Sequence, residues 1–148
     1  MKTTTLICAL LLGLAGCTKN VELVPTTDKT PINANNPTEK FDAAGQKLVA
    51  QGSFMNSARY NTSGTAKIYE KDGKRTLVFE DFKTDNGPDL RVYLAEDKNA
   101  AKFVEIAKLG NTGNFFLELP TTADPAKQKF VLIWCKQFTV LFGNAELK

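Results

Sequence analysis

Asp72-Gly73 constrains the fold of this chain more than any other pair, because alternating apolar segments flank it on both sides. Asp-Gly is a favoured two-residue hairpin turn, since both positions tolerate positive φ. Before it Ala66-Lys67-Ile68-Tyr69-Glu70 alternates with period two, and after it so does Thr76-Leu77-Val78-Phe79-Glu80-Asp81-Phe82. That period is the signature of half-buried strands, so a hairpin is predicted over about Thr65 to Phe82. The texture continues downstream. Asn86-Gly87-Pro88 is a turn before Leu90-Arg91-Val92-Tyr93-Leu94, and Phe115 to Leu119 is a strand that Pro120 ends. Lys129 to Cys135 is apolar on both faces and predicts a central strand covered on each side. Phe138, Val140 and Phe142 alternate with Thr139 and Leu141 before Gly143-Asn144. Short strands at this spacing predict an all-β domain, an antiparallel β-sandwich or flattened barrel of about seven, eight or more strands. Asp97 to Leu109 is the exception: Asp97 resembles an N-cap, apolar residues follow at helical intervals, and Gly110 stands like a C-cap. The pattern there predicts helix, with Phe103 to Leu109 as the alternative strand.

The N-terminal region has a different texture. Met1-Lys2-Thr3 is a basic start, Leu6 to Leu14 is almost uninterruptedly hydrophobic, and Leu14-Ala15-Gly16-Cys17 closes the run. A bilayer needs roughly 20 apolar residues, so the run reads as a secretory signal peptide and not a span. Cys17 at the cleavage point resembles the bacterial lipobox. That resemblance implies a diacylglycerol on the Cys17 sulfur and a fatty acyl chain such as palmitate on its freed amine. The expected divisions are residues 1–16 as lipoprotein signal, 17–46 as lipidated cysteine and flexible tether, and 47–148 as the β-domain. Thr18 to about Gln46 is rich in Thr, Asn and Pro (Pro25, Pro31, Pro37) and shows no sustained period. As a flexible coil it would hold the domain roughly 30 Å from its anchor, by the square-root scaling of linkers. The expected location is the bacterial cell envelope, with the lipid anchor as the membrane partner. Thr18, where an aspartate would argue for inner-membrane retention, favours the outer membrane.

Composition narrows the chemistry. The 19 Lys and Arg exceed the 16 Asp and Glu by three, and loss of Lys2 lowers the excess by one. A charge that small gives no electrostatic case for nucleic acid as a partner. The chain has no histidine, which excludes a Ser-His-Asp triad and histidine-bound zinc or copper. A hydrolase is disfavoured further because no paired-carboxylate signature is present. Cys8 leaves with the signal and Cys17 carries lipid, so Cys135 is the one free thiol of the mature chain and has no intramolecular disulfide partner. Conceivable ligands for a haem reduce to Cys135, Met55, Tyr60, Tyr69 and Tyr93.

Trp134-Cys135 is the constellation that carries most chemistry. A lone thiol in an oxidising compartment suits thiolate attack, a mixed disulfide or ligation of a prosthetic group, and Lys136 next to it in the chain would favour the thiolate if its ammonium approached the sulfur. The competing reading is packing, since free cysteine behaves as a small buried hydrophobe and this strand is apolar on both faces. Asp81, Asp85, Asn86 and Asp89 cluster near a turn, but their order does not match an EF-hand loop and turns favour such residues for backbone reasons. No metal site is expected there.

Three stretches together resemble the electron-transfer DM-thirteen domain family. They are Asn61-Thr62-Ser63-Gly64-Thr65-Ala66 with Leu77 to Phe82, then Gly87-Pro88-Asp89-Leu90-Arg91-Val92-Tyr93-Leu94, and Val131-Leu132-Ile133-Trp134-Cys135-Lys136-Gln137-Phe138 running to Phe142-Gly143-Asn144-Ala145-Glu146-Leu147. Leu109-Gly110-Asn111-Thr112-Gly113-Asn114 fits the family's turn between strands, and the resemblance spans about Gln51 to Leu147. It implies an extracytoplasmic all-β module in which Cys135 is the candidate redox thiol, acting bare or through a group such as haem, with an unidentified redox partner. Cys135, Trp134 and Asp89 are the implied cofactor-binding residues. The resemblance also implies that Phe103 to Leu109 is extended. One departure is that Arg59-Tyr60-Asn61 stands where family members often carry a histidine. The alternative function is a non-catalytic binding or adhesion module in which Cys135 is only a core residue.

Overall fold

The structure, a computed structural model, describes residues 20–148. The expected signal peptide and Cys17 lie outside the described residues. The described residues form eleven strands and no helix. Strands β1 (Val24–Pro25), β2 (Ile32–Asn33) and β3 (Asn36–Lys40) precede β4 (Lys47–Asn56), β5 (Thr62–Lys71) and β6 (Lys74–Thr84). After these come β7 (Leu90–Ala95), β8 (Val104–Lys108), β9 (Asn111–Glu118), β10 (Phe130–Cys135) and β11 (Val140–Glu146).

The strands join into one curled sheet in the order β3-β2-β9-β6-β5-β4-β11-β10-β7-β8, with β1 also on β9. All ladders between β4 and β11 are antiparallel, and the short β1 and β2 run parallel to β9. The long β4 makes the corner. Its first part pairs with β5 while Phe54 to Asn56 pair with β11, which folds the sheet into two facing halves. No ladder closes β8 onto β9 among the described residues, so the result is a flattened, open half-barrel, as the strand spacing predicts.

The interior follows from alternation. Ile68, Leu77, Phe79 and Phe82 from one half meet Val92, Leu94, Val131 and Ile133 from the other, all at most 0 % exposed. Phe54, Phe79, Phe82 and Phe115 make mutual ring contacts at 4.4 to 5.9 Å. Contacts of this kind add about 0.5–1.5 kcal/mol each beyond burial, so this cluster ties the corner of β4 to β6 and β9. A smaller cluster, Tyr93, Ala95 and Leu132 with Phe130, Trp134 and Leu141, lies on the outward side of β7, β10 and β11. The central strand therefore has covered residues on both faces.

The predicted hairpin is present, and its turn residues Asp72 and Gly73 have φ of 52° and 74°. Three expectations are corrected. Asp97 to Leu109 is not helical: Asp97 Oδ1 accepts from the backbone of Asn99 and Ala101, Ala100 and Lys102 take positive φ, and Val104–Lys108 forms β8. The cap residue is real but closes an Asx turn, while the extended alternative holds. Asn111 to Asn114 is not a turn but the start of β9, held by β1. The coil expected over Thr18 to Gln46 is partly paired. Strands β1 and β2 lie along β9, Leu23 is buried, and Phe41 contacts Tyr69 and Phe116 at 5.0 and 5.7 Å. Its prolines conceal a strap whose pairing partners are more than seventy residues away, beyond the reach of local pattern.

Candidate functional site

Cys135 is the last residue of β10, where the first residues of β7 and β11, Leu90 and Val140, flank it in register. It is a free cysteine, 0 % exposed, on the inner face with Val131 and Ile133. Three connections converge at this end of the half-barrel. The β4–β5 loop places Tyr60 flat against Phe142, with centroids 3.6 Å apart. The β6–β7 loop is tied down where Lys136 N donates to Asp89 O at 2.9 Å. Gly87 in that loop packs so closely that a Cβ would come within 2.8 Å of Leu90 and 2.9 Å of Phe142. The β10–β11 connection follows the thiol directly and carries the exposed Phe138.

A cleft of about 290 Å³, lined by Ser57, Ala58, Arg59, Val140 and Leu141, opens beside the thiol's cross-strand neighbour Val140. The largest clefts lie elsewhere: one of about 410 Å³ borders the β5–β6 turn and Pro120, and one of about 490 Å³ lies between Gln51 and Glu80.

Trp134 precedes the thiol in the chain, so its indole points to the opposite side of the sheet. There it stands directly opposite Arg91 on β7. Arg91 Nε donates to Asp89 Oδ1 at 2.7 Å and its Nη1 to Glu105 Oε1 at 2.8 Å, while Lys136 Nζ meets Glu105 Oε2 at 3.1 Å. The hydrogen bond to Asp89 chiefly raises the Arg91 pKa, against a partial loss of hydration, with Glu105 assisting. Partly exposed ion pairs contribute at most about 1 kcal/mol each, so this network orients the end of β7 more than it stabilises the fold. The three implied cofactor-binding residues are thus neighbours in the ladder but do not line one pocket. Cys135 faces inward, Trp134 outward, and the Asp89 carboxylate is engaged by Arg91.

The other acidic residues near the turn have separate tasks. Asp85 Oδ2 accepts from Asn61 N at 2.7 Å, and Asp81 N donates to Asn114 Oδ1 at 2.8 Å. No group of three potential ligands that could hold a metal ion occurs among the described residues.

The described residues do not fit a haem. The Cys135 sulfur is sealed in apolar packing, Met55 is 61 % exposed on the outside, and Tyr60 lies stacked on Phe142. None of the five main clefts is lined by a cysteine, methionine or tyrosine, whereas an axial ligand must border the slot that takes the macrocycle.

Sequence reasoning named Tyr93 only as a conceivable haem ligand and missed Glu105 altogether. Tyr93 is 3 % exposed, directly opposite Glu105 on β8, stacked on Phe103 at 4.2 Å and 6.3 Å from the Trp134 ring. The spacing Asp89, Arg91, Tyr93 already places three polar groups on one face of a strand. Glu105 needed the register of β8, which the helical pattern obscured. Among the described residues no helix is long and apolar enough to cross a membrane.

The family model described as Electron transfer DM13 matches residues 53–147, well over half of the chain. No curated protein and no solved structure gives a significant match.

Proposed function

The chain belongs to the electron-transfer DM13 family, and from that membership we propose a lipid-anchored module of the cell envelope whose redox centre is the sulfur of Cys135. The observation that carries the reading is the position of this thiol within the matched domain. It stands at a strand end where three loops meet, with a cleft beside its neighbour Val140. No second thiol exists among the described residues, and with the signal removed and Cys17 lipidated the sulfur has no partner for an internal disulfide. Its redox change is completed by a disulfide-bearing partner protein. The Cys135 thiolate attacks one partner sulfur, the partner's S–S bond breaks as the mixed disulfide forms, and the other partner sulfur leaves as thiolate. The three loops, covering the residues from Ser57 to Asn61, Asp85 to Asp89 and Lys136 to Thr139, part to admit that partner. In the reduced state burial protects the thiol from the oxidising compartment. Cys17 carries the lipid that holds the module at the membrane.

A second reading, a binding module in which Cys135 only packs, is favoured by its complete burial. Thiol labelling across a denaturant series separates the two. Under the redox reading a limiting labelling rate persists at low denaturant, independent of its concentration, because a local opening admits the reagent. Labelling that follows global unfolding at every concentration would leave the packing reading. Lipidation is tested by intact mass before and after substituting Cys17→Ser, which should remove the acyl mass and release the protein from the membrane fraction.

A further inference from the structure

We infer that Tyr93 and Trp134 form a second redox centre on the outward face, with Glu105 as the proton acceptor of Tyr93. The inference rests on the electron-transfer reading of the family but not on any role of Cys135. Four observations carry it. The two rings lie 6.3 Å apart at an interplanar angle of 23°. Trp134 is half-buried and so meets solvent, whereas Tyr93 is 3 % exposed beneath Phe103. Tyr93 stands directly across β7 and β8 from Glu105. Glu105 is in turn held by Arg91 and Lys136, and the Lys136 ammonium is half-exposed, which leads the proton's new site toward water.

The division of labour follows from exposure. A one-electron outer-sphere acceptor, such as a metal complex, docks on the outward face and removes an electron from the Trp134 indole. Tyr93 returns an electron to the indole radical cation, and its phenolic proton passes to the Glu105 carboxylate. The products are the reduced acceptor, intact Trp134, a neutral tyrosyl radical and a protonated Glu105, so charge and atoms balance. Burial first, and then the negative Glu105, raise the Tyr93 pKa. The phenol therefore keeps its proton until oxidation and gives it up only with the electron. The cover of Phe103 and the neighbouring Leu132 keeps the radical away from solvent and from other chains.

The test is flash-quench oxidation of the intact protein by photogenerated tris(bipyridine)ruthenium(III), with the radical trapped and identified by electron paramagnetic resonance. A neutral tyrosyl signal is expected that disappears in Tyr93→Phe and persists in Tyr60→Phe and Tyr69→Phe. Trp134→Phe should slow its formation by about tenfold or more, equivalent to about 1.4 kcal/mol of barrier. Glu105→Gln should slow it too. An undiminished signal in Tyr93→Phe, or an unchanged rate in Trp134→Phe, would overturn the assignment. Cys135→Ser is expected to leave the signal intact. A result that fails for Tyr93 but keeps local thiol labelling would spare the Cys135 reading, and the reverse result would spare this one.

Discussion

At Cys135 the cost of a substitution depends on what surrounds one sulfur atom. The side chain is 0 % exposed on the inner face among Val131, Ile133, Leu90 and Val140. Serine has nearly the same volume but brings a hydroxyl that finds no partner there, a loss of about 1–3 kcal/mol. Alanine leaves a small cavity and forfeits only the packing of one atom, about 1 kcal/mol. Denaturant unfolding should therefore rank Cys135→Ser as less stable than Cys135→Ala. The opposite order would reveal a polar neighbour at the sulfur. Tyr93 makes a prediction in pH. Its folded pKa lies above the ordinary value of 10 through burial and then Glu105, so the folded state holds this proton more tightly than the unfolded chain. Stability tied to the phenol is complete below about pH 10 and declines as pH rises through the raised pKa. The Lys67 ammonium, raised by its hydrogen bond to Glu80, loses stability in the same alkaline window. Only Tyr93→Phe should flatten the phenol's share, which melting curves between about pH 9 and 11 would show.

Among the elements, the β5–β6 hairpin was legible because its determinants are local: a two-residue turn and two alternating runs. Its far end shows what locality cannot give. The pairing slips between Ser63 and Thr65, where Gly64 has φ of +107° and a Cβ would lie 2.7 Å from both Glu80 O and Phe82 Cα. Opposite the slip Asp81 takes φ of 48°, with its N–H satisfied by Asn114 from β9. Ser63-Gly64-Thr65 is thus a bulge inside a ten-residue strand, set by a partner strand that local sequence does not reveal. Both the backbone conformation and the contact oppose a side chain here. Gly64→Ala should cost about 3 kcal/mol or more by thermal unfolding, while Gly73→Ala, with open space around it, should cost only the strain of its positive φ, about 1 kcal/mol. The same limit explains β8. Asp97 and the apolar spacing beyond it carry a true local signal, but pairing with β7 outweighs it and brings Glu105 against Tyr93. Cys135 and Trp134 were visible as residues; that the sheet separates them onto opposite faces followed from strand geometry, whereas the partners on each side required the register.

For the whole molecule, the N-terminal strap is the least anticipated part. It covers the open side of β9, and Phe116 on the outward face of that strand is only 4 % exposed with Phe41 against it. Deleting residues 20–41 should expose the β9 edge together with Phe116, lower stability by a few kcal/mol, and produce self-association visible by light scattering, as unprotected edges do. Phe41→Ala should reproduce part of the instability without freeing the edge. The strap also sets a leash. With lipid on Cys17, just Thr18 to Leu23 separate the acyl anchor from the first residue pinned to the body, a span of about 20 Å when fully extended. If that anchor is present, a head on so short a stalk would stay at the headgroup layer, and any carrier would have to reach it there.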